Sequence, residues 1–149
     1  LYMALLRPHG TVLPRALAGE LRWDRPRIEA AELALRAEHA EKIKAALDFM
    51  ERNYAEEIAI ADVAAACYFS QYHFMRFFKK YMGVSCGEYL KNLRLEKAAQ
   101  AFSKGNTGIM DVAMDSGFRN LSYFYREFQK KYGHTPKQFI HRCAQMPRE

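Results

Sequence analysis

The chain has 149 residues, half of them hydrophobic, and a net charge of +6 from 23 basic and 17 acidic side chains. This length suits one domain or two small ones, and no run of about 18 apolar residues predicts a transmembrane helix. The basic excess favours an acidic partner, either nucleic acid or an anionic membrane. Cys67, Cys86 and Cys143 are odd in number and widely spaced, which argues against a disulfide framework or zinc site and for a reducing compartment.

Residues 1–37 differ in composition from the rest. They hold three of the five prolines and no lysine. LYMALLR predicts a short helix, whereas PHGTVLPRALAG and WDRPR predict loop or linker, and no signal-peptide pattern is present. Because the chain starts at Leu1 rather than Met, we interpret residues 1–37 as the end of an upstream domain followed by a tether.

A helical pattern begins at Glu38. Its apolar stripe has the i, i+3, i+4, i+7 spacing of one buried helix face and consists of Ile43, Ala46, Leu47, Met50 and Tyr54. A short apolar stretch, IAIADVAAAC, follows. Ser70 is placed to cap the next helix, which we expect to end near Gly83.

A long helix is predicted from Ser85, as its cap, to about Lys104. It carries two apolar stripes, which are Cys86, Tyr89, Leu90 and Leu93, and then Leu95, Ala98, Ala99 and Phe102. The stripes start nine residues apart, and nine steps of about 100° place them on opposite sides of the helix. We therefore predict a bridge of about 30 Å that packs one body on each half.

The stretch GNTG breaks the chain after this helix. Thr107 is expected to cap the helix in GIMDVAMDS, and Gly117 to adopt a positive φ in a tight turn. A further helix is predicted from about Leu121 to Tyr132, ended by Gly133. Thr135 and Pro136 suit the cap and first turn of a last helix that ends near Gln145. No strand pattern occurs, so the predicted fold class is all-α.

One phrase occurs twice in the chain. SQYHFMRFFKKYMG starts at Ser70, and NLSYFYREFQKKYG starts at Asn120. Upstream of each, the triplet DVA recurs at residues 62–64 and 111–113. Each copy has the outline of a short helix, a turn and a second helix, which is typical of a helix-turn-helix.

The second helix of each copy has an inner and an outer face. The predicted inner residues are Phe74, Phe77, Phe78 and Tyr81 in the first copy, and Phe124 and Phe128 in the second. The predicted outer residues are Tyr72, Met75, Arg76 and Lys79, and then Ser122, Tyr125, Arg126 and Gln129. No acid occurs from Ser70 to Met82. Such a face suits a groove lined by phosphates, and arginine can bind guanine with two hydrogen bonds.

Two other classes of function compete with nucleic-acid binding. An enzyme is disfavoured because none of the five histidines forms a metal-binding spacing and no phosphate-binding or nucleophile motif occurs. A protein-binding or membrane-surface module could use exposed aromatics such as Tyr72 and Tyr125, or a basic amphipathic helix. The same residue types on the same face of both copies instead favour two recognition helices in successive major grooves, about 34 Å apart.

The stretch from about Glu38 to Arg142 resembles the DNA-binding domain of the AraC/XylS family of transcription regulators. The most specific part is IMDVAMDSGFRNLSYFYREFQKKYGHTPKQF, and YLKNLRLEKAAQAF resembles the linker helix of the family. The resemblance implies two homeodomain-like helix-turn-helix subdomains, at residues 38–84 and 105–149, joined by a helix at residues 85–104. Tyr68 stands where the family usually has the turn glycine, so we expect the first turn to differ slightly.

The resemblance also assigns residues to roles. Base contacts are expected from Tyr72, Met75, Arg76, Asn120, Leu121, Ser122, Tyr125 and Arg126. We assign phosphate contacts to Ser70, Lys79, Lys80, Arg119, Lys130 and Lys131. Glu127 interrupts the second basic helix, and its partner is left open.

The resemblance further implies the partners. These are double-stranded promoter DNA, RNA polymerase and an effector that acts only through a missing N-terminal domain, with a homodimer of the full-length protein left open. We expect no catalysis, cofactor, metal or membrane contact, and a location in the bacterial cytoplasm at the nucleoid.

Overall fold

The structure, a computed structural model, describes the backbone of residues 25–146 and the side chains of residues 33–146. The helix predicted in LYMALLR lies outside these residues. The described part of the chain contains seven helices and no strand, which confirms the all-α prediction. The helices are α1 Arg25–Asn53, α2 Ile60–Ala66, α3 Gln71–Met82, α4 Cys86–Ser103, α5 Ile109–Asp115, α6 Leu121–Tyr132 and α7 Pro136–Gln145.

Helix α1 begins much earlier than expected. The prediction of a loop in WDRPR and of a helix only from Glu38 is wrong, because α1 already starts at Arg25. Pro26 does not prevent this, since the first turn of a helix makes no use of the amide hydrogen that proline lacks. The residues that follow are rich in alanine, leucine, glutamate and arginine, which all favour the helix.

The described residues form two compact units. One comprises residues 25–49 and 61–85, and the other residues 50–60 and 86–146. In the first unit the buried side chains lie on α1, α2 and α3, and they include Ile43, Ala46, Leu47, Val63, Ala64, Phe74 and Phe78. Cys67 donates its thiol hydrogen to the carbonyl oxygen of Lys42 at 3.3 Å.

The second unit is built on α4. Both predicted stripes of this helix are buried, except that Tyr89 is half-buried. Leu95, Ala98, Ala99 and Phe102 pack with the apolar sides of α5 and α6, which are Val112, Ala113, Phe124 and Phe128, and with Phe118 from the turn between them. The sulfur atoms of Cys86 and Met50 lie 3.7 Å apart. The buried rings of Phe124 and Phe128 determine which side of α6 faces the core.

Side-chain caps begin three of the helices. Ser70 accepts from the amide of His73, Asn120 from that of Tyr123 and Thr135 from that of Gln138. Gly83 and Gly133 end α3 and α6 at positive φ, as predicted. The prediction that Thr107 caps α5 is wrong, because Gly108 is the cap residue. Asn106 accepts the amide hydrogen of Gly108 at 3.1 Å. The cap of α5 therefore lies one residue later than predicted.

The two helix-turn-helix turns have the same backbone hydrogen bonds. After α2 the amide of Phe69 bonds to the carbonyl of Ala64, and that of Tyr68 to Ala65. After α5 the same pair of bonds is made by Phe118 and Gly117. This pattern requires a left-handed residue just after the helix, a place that glycine usually fills. Gly117 has φ +94°, as predicted, and Tyr68 has φ +60°.

Candidate nucleic-acid interface

The first candidate interface is the outer face of α3. Phe74 and Phe78 are completely buried, which turns the opposite side of the helix to solvent. Tyr72, Met75 and Arg76 are exposed there, so their predicted orientation is confirmed. Phe77 and Tyr81 are half-buried rather than fully inside, and both rings contact His39 of α1 edge-on.

Arg76 does not project freely from α3. One of its terminal nitrogens donates to the Tyr72 hydroxyl at 3.1 Å, and the guanidinium carbon lies 5.6 Å from the centre of the Tyr72 ring. The two residues are four positions apart, which brings side chains together on one face of a helix. The contact holds the guanidinium over the outer face, where it keeps further N–H groups for a ligand.

The outer face of α6 is the second candidate interface. Leu121, Ser122 and Arg126 are exposed, as predicted. Tyr125 differs from the prediction that it points outward, because its side chain is half-buried and packs against the core of the second unit. Its position is one residue after the buried Phe124, at the margin of the inner face, and the large ring covers part of the core there.

Tyr123 was not among the predicted site residues. Its ring lies 5.3 Å from the guanidinium carbon of Arg126, so this arginine also rests on a tyrosine. In α3 the tyrosine stands four residues before the arginine, and in α6 three residues before it. The sequence signal was the i, i+3 spacing of Tyr123 and Arg126, two residues that meet on a helix surface.

The position of Glu127 is resolved by the structure. Its carboxylate lies 3.1 Å from the Lys91 ammonium group of α4, which also contacts Glu88 at 3.0 Å. The hydrogen bond from Lys91 lowers the pKa of Glu127, and the hydrogen bond to Glu88 raises the pKa of Lys91. A second contact, 3.8 Å from Arg126, is long. Glu127 therefore mainly ties α6 to α4.

The predicted phosphate-contacting residues fall into two groups. Ser70, Lys79, Lys80, Arg119 and Lys130 are exposed. Lys131 is also on the surface, but its ammonium group lies 3.3 Å from the Glu96 carboxylate and 3.4 Å from the carbonyl oxygen of Asn92. Its charge is therefore partly neutralised by α4, which the sequence spacing could not show.

The residues that cap α3 and α6 add hydrogen-bond donors to both candidate interfaces. Asn120 uses its side-chain oxygen to cap α6 at 2.9 Å, which leaves its amide hydrogens for a further partner. Ser70 accepts from the amide of His73 at 3.3 Å and still has its hydroxyl hydrogen to donate. Between residues 25 and 146 no group of three or more potential ligands is arranged to hold a metal ion, and no helix there meets the length and hydropathy needed to span a membrane.

Comparison with known proteins identifies the family. A helix-turn-helix domain family model matches residues 63–142, which is more than half of the chain. The bifunctional transcriptional activator/DNA repair enzyme AdaA of Bacillus subtilis is 34% identical over 92 residues, or 62% of this chain and 44% of that protein. The regulatory protein PocR of Salmonella typhimurium is 30% identical over 101 residues, or 68% of this chain and 33% of that protein. The chain thus spans less than half the length of either relative.

A solved structure shares the fold. It is a transcriptional regulator from Chromobacterium violaceum with an AraC-type DNA-binding domain, and it superposes with a TM-score of 0.67 at 26% identity over 72% of this chain and 96% of its own. Residues 63–142, which the family model matches, contain both helix-turn-helix turns and both arginine-bearing helices. The chain therefore belongs to the helix-turn-helix domain family and, within it, to the AraC/XylS type of transcription regulators.

Proposed function

We propose that the chain binds double-stranded promoter DNA sequence-specifically by inserting α3 and α6 into successive major grooves. The observation that carries this proposal is the repetition of one arrangement. In each helix an exposed arginine rests on a tyrosine, and buried phenylalanines fix the opposite side of the helix. Arg76 and Arg126 are the proposed base readers, because guanidinium groups bind both acceptors of guanine in the major groove.

The remaining exposed residues divide into two further roles. Met75, Leu121 and Ser122 provide apolar and hydroxyl contacts to base edges, together with Tyr72, Asn120 and Tyr125. Lys79, Lys80, Arg119 and Lys130 neutralise phosphates and set the register on the duplex. The length of α4, 18 residues or about 27 Å, supports its proposed role as a bridge between two recognition helices that read neighbouring grooves.

The proposal includes the setting of the whole protein. We propose binding without catalysis for this chain, although the name of AdaA joins an activator with a repair enzyme. Contact with RNA polymerase, control by an effector through a further domain and dimerisation of the longer protein are proposals by family likeness. A location at the bacterial nucleoid is also a proposal by family likeness.

Selection from a random duplex library tests the proposal first. We expect a winning site with two motifs about one helical turn apart, bound with a steep dependence on salt. Weak binding with no preferred sequence would contradict sequence-specific binding by this chain.

Arginine substitutions then test the two readers. Arg76→Ala and Arg126→Ala should each cost about 1–3 kcal/mol on the winning site and relax the base preference in one motif only. Arg36→Ala removes an exposed arginine from α1 and serves as the matched control. Titrations on duplexes with one mutated motif give the measurement. If the two alanine variants bind the winning site as tightly as the control, the assignment of the readers is wrong.

A further inference from the structure

Tyr68 holds a left-handed backbone conformation that its side chain disfavours. The two turn hydrogen bonds require a left-handed residue after α2, and Tyr68 adopts φ +60° there. It is the one non-glycine residue with positive φ in the described part of the chain. Bulky residues rarely adopt this region, because the Cβ atom approaches the carbonyl oxygen. The turn does not require a tyrosine, since glycine would form the same hydrogen bonds without the strain.

The strain is not offset by packing. Tyr68 is 93% exposed, and its hydroxyl has no hydrogen-bond partner among the described residues. A tyrosine usually contributes to stability by burying its ring and bonding its hydroxyl, and Tyr68 does neither. A strained residue with no internal contact points to a role outside the folded chain.

The second turn provides the comparison. Gly117 occupies the equivalent place, and a Cβ atom there would lie 2.4 Å from the carbonyl oxygen of Tyr54 and 2.8 Å from Nε of Arg94. That turn is covered by protein and accepts only glycine. The same backbone motif therefore carries no side chain in one unit and a large exposed one in the other.

The position of Tyr68 favours DNA as the partner. It stands two residues before Ser70, which caps α3, and recognition helices contact DNA with their N-terminal end. No acidic residue occurs from position 63 to position 87, so the surroundings in the sequence favour an anionic partner. Tyrosine hydroxyls are among the usual donors to DNA phosphates.

We propose that the Tyr68 hydroxyl donates a hydrogen bond to a DNA phosphate beside the first recognition helix. This inference rests on the proposed DNA binding and adds a backbone contact that has no counterpart at Gly117. Because phosphates are the same at every base pair, the contact strengthens binding to all sequences alike.

Tyr68→Gly gives a test in which stability and binding change in opposite directions. Glycine relieves the strain, so we expect the melting temperature to rise by about 2–5 °C. Loss of the hydrogen bond should weaken binding by about fivefold on the selected site and on a random duplex. Tyr68→Asn, a residue that tolerates positive φ, should behave in the same way.

Tyr68→Phe is the matched control for the hydroxyl. It keeps the ring and the backbone strain, so its melting temperature should equal that of the wild type, while its affinity should fall as far as that of Tyr68→Gly. If Tyr68→Phe or Tyr68→Gly binds both duplexes as tightly as the wild type, the phosphate contact is refuted. Binding that weakens only on the selected site would also overturn it, because the residue would then read bases.

Arg76→Ala in the same titrations separates this inference from the proposed function. If the wild type binds neither duplex, both proposals fail together. If Arg76→Ala loses site preference while the Tyr68 variants bind normally, DNA reading stands and only the phosphate contact fails.

Discussion

At the scale of single residues, Gly117 is a position in the second unit that has no room for a side chain. Its φ is +94°, and the carbonyl oxygen of Tyr54 and the guanidinium of Arg94 lie against it. Arg94 donates to the carbonyl oxygens of Tyr54 and Glu56, both at 2.8 Å, and burial lowers the pKa of its guanidinium. The turn after α5, the loop after α1 and helix α4 are therefore in contact around Gly117 and Arg94.

Gly117→Ala should destabilise the protein by about 2–4 kcal/mol, because it adds both backbone strain and a steric collision. Gly87→Ala is the matched control, since nothing lies within 4 Å of a Cβ atom there and alanine favours the helix. The control should leave the free energy of unfolding unchanged or raise it by up to about 1 kcal/mol. Urea unfolding of both variants provides the comparison, and equal effects would contradict this account of the turn.

The sequence predicted most side-chain orientations correctly, and its failures share a cause. Ser70, Gly83 and Gly117 were identified because local backbone chemistry determines their roles. Tyr125 was placed outward because helical spacing gives a direction but not the size of the surface that a large ring covers. Thr107 has the residue type of a helix cap, but the side chain of Asn106 binds the amide of Gly108, and Gly108 takes the cap position.

At the scale of elements, α3 and α6 differ in how their charge is used. The residues of α3 include three basic side chains and no acid, whereas α6 has three basic side chains and one acid. Glu127 and Lys131 of α6 are both engaged with α4. These ion pairs hold α6 against α4, and they reduce the positive charge that α6 can offer to phosphates.

The adjacent lysines of α6 should therefore differ in their contribution to DNA binding. Lys130→Ala should make the plot of log affinity against log salt less steep, with a slope smaller in magnitude by about 1, because an exposed ammonium group is lost. Lys131→Ala should lower the slope by clearly less, since Glu96 already neutralises this group. Titrations of both variants at several salt concentrations decide the point, and equal slopes would show that Lys131 leaves Glu96 when DNA binds.

Helix existence and type could be read from the sequence, whereas one helix boundary could not. Apolar spacing and capping residues predicted α3, α4, α6 and α7 closely, whereas α2 was indicated only by the repeat and the cap of α5 was wrong. The start of α1 differs from the prediction of a loop in WDRPR, because Pro26 lies in the first turn of the helix and that turn accepts proline. The pairing of Lys91 with Glu127 was also out of reach, since the two residues are distant in sequence and only the packing of α6 on α4 joins them.

At the scale of the molecule, the first unit contains a titratable link between its helices. Nδ1 of His39 lies 2.6 Å from the Tyr81 hydroxyl, and the ring packs edge-on against Phe77 and Tyr81. Burial lowers the pKa of His39 from its ordinary value of 6.5. The folded chain therefore binds this proton less readily than the unfolded chain does.

Acidification should accordingly reduce stability. Well above pH 6.5 the imidazole is neutral in both states and pH has no effect through His39. As the pH falls below this value the unfolded state takes up the proton first, so the melting temperature should decrease until the folded pKa is passed. His39→Gln should reduce the difference in melting temperature between about pH 7.5 and about pH 5.5. An unchanged difference in His39→Gln would exclude this origin.

The ion pairs between α6 and α4 have a consequence for the search along DNA. A protein that slides on non-specific DNA is held by its charges alone, and α3 offers more free positive charge than α6 does. We therefore expect α3 to contribute more than α6 to the affinity for non-specific DNA. The unequal salt contributions expected for Lys130 and Lys131 measure how much of the charge of α6 its ion pair with α4 withholds from DNA.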